Sequence, residues 1–134
     1  MFGMRKKSGD PELDAAVWEL AGADTVAFGG VGFAGTLLPV TEAYRRVEEA
    51  FARRPRQARE QVDWLLRHGS PAGRAYAATL LEQVNPAAAR DAWTTLRDED
   101  DEFTTFSGCT MATTTLSGYA ADRLAAHRTD GDSQ

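Results

Sequence analysis

Three side chains in this sequence are suited to nucleophilic or acid–base work near neutral pH: Cys109, the only thiol, and His68 and His127, the only imidazoles. A thiol beside an imidazole is therefore the one nucleophilic arrangement the chain offers. Two of these residues also have a plainer explanation. His68 falls in the last turn of a predicted helix, where partial positive charge meets the negative end of the macrodipole, and Cys109 serves as a small hydrophobe. Activating the thiol requires a nearby base or cation, and the neighbouring sequence supplies none. No His, Cys or carboxylate spacing matches a zinc or EF-hand site, so neither a metal nor a cofactor is expected.

Gly30, Val31, Gly32, Phe33, Ala34 and Gly35 spell GxGxxG after a β-leaning stretch, Thr25 to Phe28. A dinucleotide site needs a helix that begins within those glycines, so that its first amides hold the pyrophosphate. Pro39 follows only four residues after Gly35, and no strand–helix alternation comes later. The glycines therefore read as a structural loop.

The strongest charge feature is the unbroken acidic run Asp98, Glu99, Asp100, Asp101 and Glu102, followed at once by Phe103 and Phe106. Five adjacent carboxylates repel one another, and a basic partner that relieves this repulsion would associate quickly through electrostatic steering. An aromatic beside a charge patch has the composition of an interface anchor. Asp98, Glu99, Asp100, Asp101, Glu102, Phe103 and Phe106 are thus the expected partner-binding residues, and the two phenylalanines have the core as their other destination. Arg45, Arg46, Arg53, Arg54, Arg56, Arg59, Arg67 and Arg74 cluster upstream. Glu42, Glu48, Glu49, Glu60 and Asp63 interleave with them, so intrahelical pairing is the expected use of these arginines. A net charge of −5 argues further against nucleic acid, whose binding draws on Lys and Arg that displace counterions.

The chain that must position these groups has 134 residues, enough for one domain that buries roughly two thirds of its unfolded surface without metal or disulfide. Its 43% apolar and 26% charged content is that of a folded globule rather than a disordered chain. Arg5, Lys6 and Lys7 are followed by polar residues instead of a signal-type apolar run, and Gly and Thr interrupt the most hydrophobic stretch, Val26 to Val40. With a single cysteine, the expected setting is the cytoplasm. Loose tails are expected at residues 1–9 and 128–134, around one helical domain at 10–127.

Helix signals recur along that domain. Asp10 and Pro11 start the first helix, with Leu13, Ala16, Val17 and Leu20 as its buried stripe, and Gly22 ends it. A second runs from Pro39 or Thr41 to about Arg53. Pro55 starts a third, whose apolar set is Ala58, Val62, Leu65 and Leu66, and Gly69 is expected to close it in a left-handed cap. Ser70–Pro71 and Asn85–Pro86 start the next two, giving three starts about fifteen residues apart. Tyr119, Ala120, Leu124 and Ala125 mark a last helix over Ser117 to His127. Trp18, Trp64, Trp93 and the phenylalanines are expected to fill the core between alanine-rich helices.

The stretch Gly73 to Leu81 resembles the second helix of a HEAT repeat, whose pattern is valine, arginine, two variable positions, two alanines, two variable positions and leucine. Arg74, Ala77, Ala78 and Leu81 match it, and glycine stands at 73 in place of valine. Arg56 to His68 is similar to the first helix of the same repeat, and the resemblance extends to Asp101. It implies a binding scaffold without chemistry. Where the next repeat's second helix would fall, Phe103 to Gly108 lacks the arginine and the alanine pair. Its β-branched threonines predict a short hairpin or irregular turn instead.

The resulting expectation is a mainly α fold of stacked short antiparallel helices, HEAT- or armadillo-like, with a glycine-rich loop and a small β-hairpin. A non-enzymatic protein-binding module follows, such as an immunity or antitoxin-type inhibitor of a basic partner, with self-association a further use of its opposed charges. The alternative from another class is a small enzyme or ligand sensor built on the Gly29 to Gly35 loop and the Cys109 turn.

Overall fold

The computed structural model describes residues 9–29, 38–107 and 109–132. The GxGxxG segment and residues 1–8 lie outside them. The described chain is mainly α, with six helices packed on one another and a small three-stranded sheet.

The chain's five prolines each open a helix: α1 (Pro11–Ala21), α2 (Pro39–Arg53), α3 (Pro55–His68), α4 (Pro71–Val84) and α5 (Pro86–Leu96). Proline loses nothing at that position, because its missing N–H would have been unpaired, and its ring drives the preceding residue out of helical geometry. Arg54 is therefore both the end of α2 and the start of α3, and Asn85 does the same between α4 and α5. Three starts are capped by side chains. Asp10 accepts from the amides of Glu12 and Leu13 at 3.1 and 3.3 Å, while Ser70 accepts from Gly73 and Asn85 from Ala88, both at 3.1 Å.

Gly69 does not adopt the expected left-handed cap; it is extended, with φ −75° and ψ 168°. Because Ser70 and Pro71 restart a helix at once, the chain must leave α3 extended. A Cβ at 69 would stand 2.7 Å from the Leu65 carbonyl oxygen, which is the constraint that glycine meets here.

α4 is the central helix, in contact with α1, α3, α5 and α6 and with both β1 (Thr25–Val26) and β2 (Glu102–Ser107). Ala72, Ala75, Ala77 and Ala78 are fully buried on it, so neighbouring backbones approach closely. At Gly73 the approach is closest, since an added Cβ would lie 2.4 Å from the Leu20 carbonyl oxygen at the end of α1. Valine has no room there.

The threonine-rich segment forms a hairpin of β2 with β3 (Thr110–Thr115), in unbroken antiparallel register from Glu102↔Thr115 to Ser107↔Thr110. β1 pairs parallel to β2 through Thr25↔Thr104 and Val26↔Thr105, giving the order β1-β2-β3. The Tyr76 hydroxyl on α4 extends this edge: it accepts from the Ala27 amide at 2.8 Å and donates to the Ala27 carbonyl at 3.0 Å. Thr41 on α2 donates to the same carbonyl at 2.6 Å. Burial pushes the Tyr76 hydroxyl up to about 12.

The core differs from expectation at Trp18 and Phe28, which are 55% and 38% exposed, and at Phe51 and Phe106, which are half-buried. Position 18 falls beside the buried stripe Leu13, Ala16, Val17 and Leu20, and the inward volume comes instead from Trp93, Tyr76 and Trp64. α6 (Leu116–Asp132) starts one residue before the expected helix and continues beyond His127 through most of the expected C-terminal tail.

Candidate functional site

The acidic run forms the bend between α5 and β2, and its backbone is fixed at both ends. Asp98 N–H donates to Thr95 and Glu99 N–H to Leu96, carrying on the last turn of α5. From the other side, the first amides of α6 donate to the run: Leu116 to the Asp101 carbonyl at 2.8 Å and Ser117 to the Glu99 carbonyl at 2.7 Å. Helix N-terminal amides lack partners within their own helix, so the acidic bend satisfies two of them. The backbone of the run thus lies against the positive end of the α6 macrodipole.

The side chains then divide. Asp98, Asp100, Asp101 and Glu102 are exposed, whereas Glu99 is half-exposed and reaches Arg74 on α4 at 3.8 Å. Phe103 is not available as an interface anchor. It is buried at 5% exposure and meets the Tyr119 ring edge-on at 5.4 Å, because the residue after Glu102 in a strand points to the opposite face. Phe106 is half-buried.

One expected arginine pairing is intrahelical, Arg59 with Asp63 at 3.0 Å. Arg74 joins Glu99 instead, and Arg53 joins Asp10 at 3.9 Å, each linking two elements.

A groove of about 610 Å³ runs between α3 and α5 over α4. Leu66, Leu81, Ala88, Ala92 and Leu96 give it an apolar floor. Arg59, Asp63 and Arg67 edge it on α3, with Asp91 and Glu99 across on the α5 side and Arg74 from α4. Glu99 thereby joins the groove to the acidic bend. The sequence reading missed this surface, although a signal exists. Arg59, Asp63, Leu66 and Arg67 recur at helical spacing and form a second face of α3, apart from the buried set Ala58, Val62 and Leu65.

A third polar cluster was also missed. Glu82 on α4 accepts from the Trp93 indole N–H at 2.7 Å and from Arg123 Nε at 3.0 Å, and its other oxygen pairs with Arg123 Nη2. The clamp ties α4 to α5 and α6 beside Tyr119, whose hydroxyl burial pushes upward. Tyr44 on α2 accepts from Gln83 Nε2 at 2.7 Å, and burial likewise holds its proton above the ordinary range.

Cys109 is exposed in the β2–β3 turn, and His68 lies in the last turn of α3, its ring 5.4 Å from that of Trp64. They belong to separate elements, and among the described residues no hydrogen bond, ion pair or ring contact joins them. The Gly30 to Gly35 part of the alternative site lies outside the described residues. Among those residues, no three or more His, Cys, Asp or Glu side chains gather as a metal site, and no helix is long and apolar enough to cross a membrane.

The fold and surface thus define a mainly α domain with an anchored acidic bend and a groove beside it. No family model matches the chain, and no curated protein or solved structure matches it.

Proposed function

We propose that this protein is a non-enzymatic binding module whose acidic bend engages a basic surface of another protein. The observation that carries this reading is the contrast between a fixed backbone at Asp98–Glu102 and the exposed carboxylates of Asp98, Asp100, Asp101 and Glu102 upon it. Pre-positioned charges lose little conformational freedom on binding, and their field steers a basic partner into register. Asp98, Asp100, Asp101 and Glu102 make the contact, Phe106 flanks it, and Glu99 is shared with Arg74. The HEAT-like pattern over Arg56 to Asp101 supports the same reading, since such repeats serve as scaffolds. An immunity or antitoxin-type inhibitor, which covers a basic cleft of its target in the cytoplasm, is the form of module that best fits a small acidic domain.

Affinity capture from the native host tests this, with wild type beside the triple variant Asp98→Asn, Asp100→Asn, Asp101→Asn. The expected result is a basic protein held by wild type, released by salt and lost with the variant. Equal capture by both would remove the acidic bend from the mechanism.

A further inference from the structure

We propose that the groove between α3 and α5 is a second docking site, and that its occupant is an amphipathic helix from a partner, acidic along one flank and basic along the other. The dimensions favour a helix. Arg59 and Arg67 bound the α3 wall eight residues apart, about 12 Å at 1.5 Å per residue, which seats roughly two helical turns. Ala88, Ala92 and Leu96 run along α5 at successive turns, and the small residues among them let another backbone come close over the floor of Leu66 and Leu81.

Charge decides what the flanks must carry. The pairs Arg59–Asp63 and Arg74–Glu99 neutralise four of the six charged groups at the edges. Arg67 on the α3 wall and Asp91 on the α5 wall are both exposed and, among the described residues, are in no ion pair. A bound helix therefore meets one free cation and one free anion on opposite sides. Two like-charged flanks satisfy one wall and are repelled by the other. This site goes beyond the acidic bend and does not depend on it, because neither Arg67 nor Asp91 belongs to that run.

The test uses three helix-stapled, fluorescein-labelled peptides of about three turns, with the same leucine face. One has a glutamate flank and a lysine flank, one has lysine on both flanks, and one has glutamate on both. Titrated against the full chain at physiological ionic strength, the mixed peptide is expected to bind about tenfold more tightly than either like-charged one. Arg67→Glu shifts the preference to the double-lysine peptide, and Asp91→Lys shifts it to the double-glutamate peptide. The triple asparagine variant of the bend keeps the wild-type ranking, which separates this site from the acidic one. No saturable binding by any peptide, or a wild-type preference for double lysine that the triple variant abolishes, would overturn the proposal. So would a ranking unchanged in both wall variants.

Discussion

Glu82 and the carboxylates of Asp98, Asp100 and Asp101 are the same chemical group in opposite surroundings. The Glu82 side chain is only 11% exposed and accepts from Trp93 and twice from Arg123, so its charge is consumed in holding three helices together. In the acidic bend it is the backbone that is anchored, by the first amides of α6, while the side chains stand in solvent. A charge that has been given protein partners stabilises the fold; one left in water beside a fixed backbone is available for recognition. Mutation should therefore separate the two regions, one through stability and the other through binding.

The largest effect is expected at the clamp. Glu82→Ala leaves the Trp93 indole N–H without its acceptor and Arg123 without its counter-charge, at a cost of about 2–3 kcal/mol in urea denaturation, since Arg123 is partly solvated. Whatever fraction remains folded should still capture the partner. A clamp variant as stable as wild type would erase the distinction.

Tyr76→Phe sharpens the same side of the comparison. The Ala27 amide loses its acceptor, while the Ala27 carbonyl keeps the Thr41 hydroxyl, so about 1–2 kcal/mol should be lost. An unchanged melting temperature would show that this edge of the sheet is held by other contacts.

Alkaline titration tests the buried hydroxyls together. The folded-state value of Tyr76 is raised from 10.0 to about 12, and Tyr44 and Tyr119 are also raised, chiefly by burial. The unfolded chain therefore gives up these protons first. Their contribution is complete below about pH 10, and stability falls as pH rises towards 12. Tyrosinate absorbance should appear together with loss of helical circular dichroism; tyrosinate at pH 10 in a fully folded protein would contradict the burial.

The smallest stability change belongs to the bend. Replacing Asp98, Asp100 and Asp101 with asparagine removes like-charge repulsion and, among the described residues, breaks no ion pair, so stability should stay within about 0.5 kcal/mol of wild type.

Helix positions were legible because their signals are local: five prolines at first helical positions, and Asp10, Ser70 and Asn85 as caps. The threonines of Phe103 to Gly108 marked a break in the helices there, whereas the extent of the hairpin to Thr115 was not marked. The parallel pairing of Thr25 with Thr104 was not legible either, since it joins residues far apart in sequence and no local signal marks it. The acidic run is visible in composition, but its anchoring depends on where α6 begins. Which aromatics turn inward depends on register: Phe103 alternates into the core behind Glu102, whereas Trp18 lies off the buried stripe of α1. The groove was obscured because its arginines look self-sufficient in sequence, and among the described residues only Arg59 forms an ion pair within its own helix.

The most direct measurement is the affinity of the captured partner for the triple asparagine variant beside wild type, with both shown to be equally folded. A loss of about tenfold or more, together with a weaker dependence on salt, is the expected result. Undiminished affinity with the same salt dependence would contradict the assignment of recognition to Asp98–Glu102.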